Sequence, residues 1–105
     1  MNNFLNVLKQ AQDLKGRISE LKQKLEKIKF YAKDKTEQVE VVVSGKGILL
    51  DLNISTEFSS DFLSLKSKIK EAYDEAKFKA DNYSKKEINK VTGSIPLPFD
   101  LKSLF

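Results

Sequence analysis

Apolar residues recur every three or four positions from about Asn3 to Phe30. Phe4, Ala11, Ile18 and Leu25 fall at one heptad position, and Val7, Leu14, Leu21 and Ile28 fall three residues later. All eight share one stripe of a helix, which predicts a first helix roughly 40 Å long at 1.5 Å per residue. Asp13 precedes Arg17 by four residues, and Glu20 precedes Lys24 likewise, a spacing that supports helix. Gly16 lies off the stripe. Lys15, Arg17, Lys22, Lys24 and Lys29 flank the stripe with no acid among them. Two copies zipped in parallel would set these cations against each other. The stripe is therefore expected to pack on a sheet or on other helices.

The period then changes. Val39, Val41 and Val43 alternate with Glu40 and Val42, as in a strand with one buried face. Ser44-Gly45-Lys46-Gly47 signals a tight turn, and Leu50, Leu52 and Ile54 alternate with Asp51 and Asn53 as a second strand. Phe30-Tyr31-Ala32 forms a shorter strand before this hairpin, with Lys33 to Thr36 as the connecting turn. Ser59-Ser60-Asp61 starts a second helix, with a hydroxyl to cap it and an acid in its first turn. Phe62, Leu65, Ile69, Ala72, Tyr73, Ala76, Ala80 and Tyr83 carry its apolar face to about Val91, and Gly93 closes it. The tail Ser94-Ile95-Pro96-Leu97-Pro98-Phe99 reads as extended and ends in Leu101, Leu104 and Phe105, an apolar set expected to dock. The reading is one α+β domain over 1–105: helix 1–30, antiparallel strands 31–58, helix 59–92 and extended tail 93–105.

Composition narrows the chemistry. The 105 residues contain no Cys and no His. That excludes disulfides, zinc fingers, thiol nucleophiles and the Ser-His-Asp arrangement. No cofactor and no metal are expected. The longest apolar runs are three residues, such as Val41 to Val43, far short of the roughly 20 a spanning helix needs. Nothing at Met1-Asn2-Asn3-Phe4 resembles an export signal, since no cationic region precedes an apolar stretch. A soluble intracellular protein, with no membrane partner, is the expectation.

The net charge of +4 is ordinary, but its distribution is not. Residues 1–36 hold 9 basic and 4 acidic side chains, residues 37–61 hold 1 and 5, and residues 62–105 hold 9 and 6. Basic helices and an acidic sheet region would attract a polyanion to the helices. Against this, Arg17, Lys24, Lys79 and Lys85 each follow an acid by four residues and could serve only their helix. Gly45-Lys46-Gly47 lacks phosphate-loop spacing and lies between strands, so it reads as a turn. Glu71, Asp74, Glu75 and Asp81 read as a solvated helix face among lysines. No Ser or Lys has an identifiable base partner, so neither an enzyme nor a small-molecule substrate is expected.

Several stretches then converge in order and spacing. Leu8-Lys9-Gln10-Ala11-Gln12, the run from Val39 to Gly47, Leu52-Asn53-Ile54-Ser55, Ala72-Tyr73-Asp74-Glu75-Ala76 and Thr92-Gly93-Ser94-Ile95-Pro96 together resemble the YbaB/EbfC family of nucleoid-associated DNA-binding proteins. The resemblance covers nearly the whole chain. One departure is the stretch Lys33 to Gln38, which has no Gly where the family usually has a glycine-rich loop. The resemblance implies an α-β-β-β-α protomer, a tight homodimer and no catalytic residues. It also implies binding of duplex DNA with weak or no sequence preference, in the cytoplasm at the nucleoid, with a role in nucleoid organisation or gene expression. The cations expected to meet phosphates are Lys9, Lys15, Arg17, Lys22 and Lys24 in the first helix. In the second they are Lys77, Lys79, Lys85, Lys86 and Lys90. Arg17 is the only arginine, which leaves little capacity for bidentate reading of guanine. The alternative is a protein-interaction adaptor that grips its partner through the helices and the apolar tail.

Overall fold

A computed structural model describes residues 2–58 and 61–93; the expectations for Ser59-Ser60 and for the tail 94–105 lie outside them. Two helices flank a three-stranded antiparallel sheet in the order α1 (Asn2–Lys27), β1 (Lys29–Lys33), β2 (Val39–Ser44), β3 (Leu49–Ile54) and α2 (Phe62–Thr92). This is the expected α-β-β-β-α protomer. The strands lie in chain order, with β2 in the centre. The register pairs Ala32 with Val41 and Val41 with Leu52. It shifts between Val42 and Val43, which pair with Asp51 and Leu49 and leave Leu50 as an extra residue in β3.

The core lies between the sheet and α2. Val39, Val41 and Val43 of β2, with Ala32 of β1, face Ala72, Ala76 and Ala80 of α2. Alanines four residues apart line one helical face with minimal side chains, so the α2 backbone sits close to the branched valines. Phe30, Leu65, Ile69 and Tyr73 close the edges. Asp61 caps α2, its carboxylate accepting from the Ser64 amide at 2.8 Å. The acid expected in the first turn is thus the cap itself, because a carboxylate one residue before the helix can reach a free amide there.

Four local expectations change. Helix α1 ends at Lys27 rather than near Phe30, and Lys33 belongs to β1 rather than to the turn. Strand β2 is enclosed on its outward side as well, where Val42 is buried and Glu40 half-buried. A strand between two others loses solvent on its flanks as well as beneath α2. The stripe of α1 is buried only toward its C-terminal end. Leu21 and Leu25 are buried, whereas Phe4 and Val7 are 69% and 61% exposed. Helix α2 stops at Thr92 and cannot cover the far half. The radius of gyration, 18.9 Å, compares with about 13 Å for a compact chain of this length. The excess reflects helices that extend beyond the core.

Two turns set the sheet. In the β2–β3 turn, the Gly45 amide donates to the Ile28 carbonyl at 3.0 Å. A Cβ there would lie 2.7 Å from Ile28 Cγ2 and 2.8 Å from the Leu25 carbonyl oxygen, so only glycine lets the end of α1 settle onto the turn. The β1–β2 turn is organised by a side chain. The Asp34 carboxylate accepts from the Val39, Gln38 and Thr36 amides at 2.8, 2.9 and 3.0 Å, and from the Thr36 hydroxyl. Lys68 of α2 reaches Asp34 at 3.4 Å and the Thr36 hydroxyl at 2.6 Å, while Glu71 accepts from the Lys35 amide at 3.0 Å. Glu37 takes a positive φ of 59° within this glycine-free loop.

Candidate nucleic-acid interface

The ten cations expected to meet DNA all lie on the two helices. Nine are exposed and Lys77 is half-buried. The structure divides them by what their charges already touch. Lys24 lies 5.6 Å from the centroid of the Tyr83 ring and 3.6 Å from Glu87. Hydrogen bonding to Tyr83, and then the charge of Glu87, hold its pKa above the ordinary lysine value. Lys90 shares the same Glu87 at 3.3 Å. The Lys90 hydrogen bond is the largest influence on Glu87 and helps to hold its pKa low. Lys77 pairs with Asp81 at 2.9 Å, and that hydrogen bond raises its pKa. Lys79 donates to the Tyr31 carbonyl at 2.8 Å, tying α2 to β1.

Lys9, Lys15, Arg17, Lys22, Lys85 and Lys86 have no ion pair or hydrogen bond from their side chains among the described residues. The acid-to-base pairs expected within α1 do not form there. Lys24 turns to Glu87 on α2 instead of Glu20, and Arg17 lines a groove with Val91 and Thr92. The fold supplies competing partners that helical spacing alone does not reveal. Seven residues separate Lys15 from Lys22 and Arg17 from Lys24, so each pair repeats along one flank of the helix, roughly 10 Å apart.

Sequence reasoning placed Lys29 beside the first helix and named neither it nor Lys27 or Lys33 for DNA. Lys29 and Lys33 are exposed on β1 and alternate with the inward Phe30 and Ala32, so they share the outer sheet face with Tyr31. Lys27 ends α1 just before them. The period-two pattern Lys29-Phe30-Tyr31-Ala32-Lys33 carries that signal, once the strand is extended by one residue at each end. Across the sheet the outer face changes sign, from Lys33 on β1 to Glu40 on β2 and Asp51 on β3.

A second surface is apolar. Every residue of β3 is exposed. Leu50, Leu52 and Ile54 retain between 38% and 47% exposure, and Phe62 and Leu63 at the start of α2 are 86% and 76% exposed. Of the carboxylates on α2, Asp74 pairs with Lys70 at 2.6 Å, Asp81 with Lys77, and Glu71 accepts from the Lys35 amide. Among the described residues no three Asp or Glu side chains converge as metal ligands. No helix among them is long and apolar enough to cross a membrane.

The sequence profile of the YbaB/EbfC DNA-binding family matches residues 1–95. The chain belongs to this family. It is 30% identical over 107 residues to a nucleoid-associated protein of Granulibacter bethesdensis, and 31% identical over 107 residues to one of Gluconobacter oxydans. Both alignments cover all of this chain and all of the relative. The crystal structure of an uncharacterized protein from Helicobacter pylori superposes with a TM-score of 0.74 at 21% identity. That match covers 85% of this chain and 94% of the other, and supports the fold alone. The resemblance read from the sequence and the family match therefore agree.

Proposed function

We propose that this protein is a homodimeric, nucleoid-associated DNA-binding protein that holds duplex DNA through its phosphates with little sequence preference. Membership of a DNA-binding family sets the class of ligand. The observation that carries the mode of contact is the set of exposed helical cations that make no ion pair or hydrogen bond among the described residues: Lys9, Lys15, Arg17, Lys22, Lys85 and Lys86. Lysine ammonium groups meet phosphates as point charges and release counterions, a contact blind to base identity. The cations already paired within the fold, Lys24, Lys77, Lys79 and Lys90, would give up those contacts to bind and contribute less. Lys27 at the end of α1 continues onto Lys29 and Lys33 of β1, which extend the basic surface beyond the helices. Binding of this kind serves compaction of the nucleoid and alters gene expression by occupancy rather than by site recognition.

The exposed strand β3 supports the dimer. An edge strand exposed along its length, with apolar side chains on it, invites pairing with another copy. A twofold axis at this edge would cover Leu50, Leu52 and Ile54 together with Phe62 and Leu63. It would also double the +4 charge and bring two basic helix pairs onto one particle.

The test is binding of a random-sequence duplex across a salt series. Log affinity should fall linearly with log salt, with a slope of about −0.9 per phosphate neutralised. Lys15→Glu with Lys22→Glu should weaken binding at least tenfold and flatten the slope, whereas Lys77→Gln should change it less than threefold. Failure to bind at low salt and micromolar dimer would move the function to a protein partner.

A further inference from the structure

We propose that Lys24 of α1 and Lys90 of α2 form one phosphate site that Glu87 of the same chain already occupies, so that Glu87 limits how tightly nucleic acid is held. The site presupposes the DNA-binding role proposed for the helices and names one point within it.

Both helices build the site. Glu87 meets Lys24 at 3.6 Å and Lys90 at 3.3 Å. Lys24 also lies 5.6 Å from the centroid of the Tyr83 ring, one turn before Glu87 on α2. That ring sits 5.5 Å from the ring of Phe30, which packs on the core. The Lys24 ammonium is therefore placed by an anchored aromatic as well as by the acid. Exposure separates the three charges. The Glu87 side chain is 15% exposed, whereas those of Lys24 and Lys90 are 55% and 73% exposed. The acid lies beneath and the two cations open to solvent.

Two ammonium groups that converge from different helices on one anion make an arrangement a backbone phosphate also fits, with its negative charge and several acceptor oxygens. Carboxylate and phosphate carry the same sign, so the pair cannot serve both without repulsion. Lys90, and then Lys24, help to hold the Glu87 carboxyl below its ordinary pKa, so it stays ionised at neutral pH. A phosphate that takes this site must displace Glu87 or bind against its charge. The position on α1 gives this competition its weight. Arg17 and Lys24 lie on one flank of the helix, roughly 10 Å apart. Arg17 makes no ion pair or hydrogen bond among the described residues, and the basic flank then meets an internal anion at Lys24.

Glu87→Gln removes the charge and keeps an acceptor oxygen, so the contact between the helices survives; circular dichroism should show unchanged helix. The variant should bind a random-sequence duplex about fivefold more tightly at low salt, with a salt slope steeper by about 0.9, one further phosphate. Glu75→Gln removes the same charge from an exposed position about 18 Å back along α2, and should change affinity less than about twofold. In a chain that already carries Lys24→Gln and Lys90→Gln, Glu87→Gln should add nothing. A second readout needs no DNA. Inorganic pyrophosphate, titrated into isotope-labelled Glu87→Gln, should move the side-chain resonances of Lys24, Lys90 and Tyr83 at concentrations that leave the wild type unchanged. Equal gains from Glu87→Gln and Glu75→Gln would overturn the site and leave DNA binding standing. Localised pyrophosphate shifts in a protein that binds no duplex would support the site and overturn the DNA-binding role. Glu87→Gln without those shifts would overturn the site whatever the duplex does.

Discussion

Replacing Asp34 with Asn should cost more stability than any other single polar substitution among the described residues. The carboxylate is 2% exposed, yet it accepts three backbone amides and one hydroxyl and faces Lys68. Burial alone would raise its pKa. The hydrogen bonds from the Thr36 hydroxyl and from the Val39, Thr36 and Gln38 amides outweigh burial and hold it well below the usual carboxylate range. Asn keeps one acceptor oxygen but turns an amide donor toward other donors, and leaves part of the Lys68 charge unanswered. Hydrogen bonds to a charged group are worth about 1.5–3 kcal/mol each, and an orphaned buried donor costs about 1–3 kcal/mol. These terms overlap, so a total of about 3 kcal/mol is the expected loss. That should lower the melting temperature by roughly 12–20 °C in a domain of this size.

The pH dependence follows with a definite sign. A depressed folded-state pKa contributes stability that is present above the unfolded value, about 3.9 for Asp, and is lost as pH falls toward the folded pKa. The wild type should therefore lose stability steeply below about pH 4, and Asp34→Asn should lose less over the same interval. The assay is urea unfolding followed by circular dichroism at pH 7, 5 and 3. Protomer concentration must be held fixed, because an assembling protein gains apparent stability with concentration. Equal unfolding free energies for the two proteins at pH 7, or parallel losses between pH 5 and pH 3, would refute the assignment of Asp34 as the hub of this turn.

Three further outcomes are expected. Glu37→Gly relieves the positive φ of 59° and should stabilise the protein by about 1 kcal/mol in the same urea assay. Gly45→Ala places a methyl group against Ile28 Cγ2 and the Leu25 carbonyl, and should destabilise by about 1–3 kcal/mol in thermal melts. Leu52→Asp charges the middle of the exposed apolar edge and should shift light-scattering mass of the proposed dimer to that of the protomer, with helical circular dichroism retained; an unchanged mass would refute β3 as a dimer contact.

Much of the fold was legible because its signals are local. The 3.6-residue rhythm of α1 and α2, the alternation in β2 and β3, and the glycine turn between them depend on neighbours within one or two turns of chain. Family membership was legible for a related reason, since it rests on the order of such segments. What only the tertiary structure decided involves distant partners. The α1 stripe reads as eight equivalent positions, but burial stops after about half of them because α2 ends at Thr92. The ten helical cations look interchangeable in sequence, yet Lys24 is held by Tyr83 and Glu87, and Lys79 by the Tyr31 carbonyl, while Lys15 and Lys22 make no ion pair or hydrogen bond among the described residues. Asp34 reads as one polar residue in a turn. It becomes the hub of that turn because β1 and β2 pair and α2 lays Lys68 against it. Periodicity reports which side of an element is apolar; which stretch of that side finds a partner is set by where the other elements begin and end.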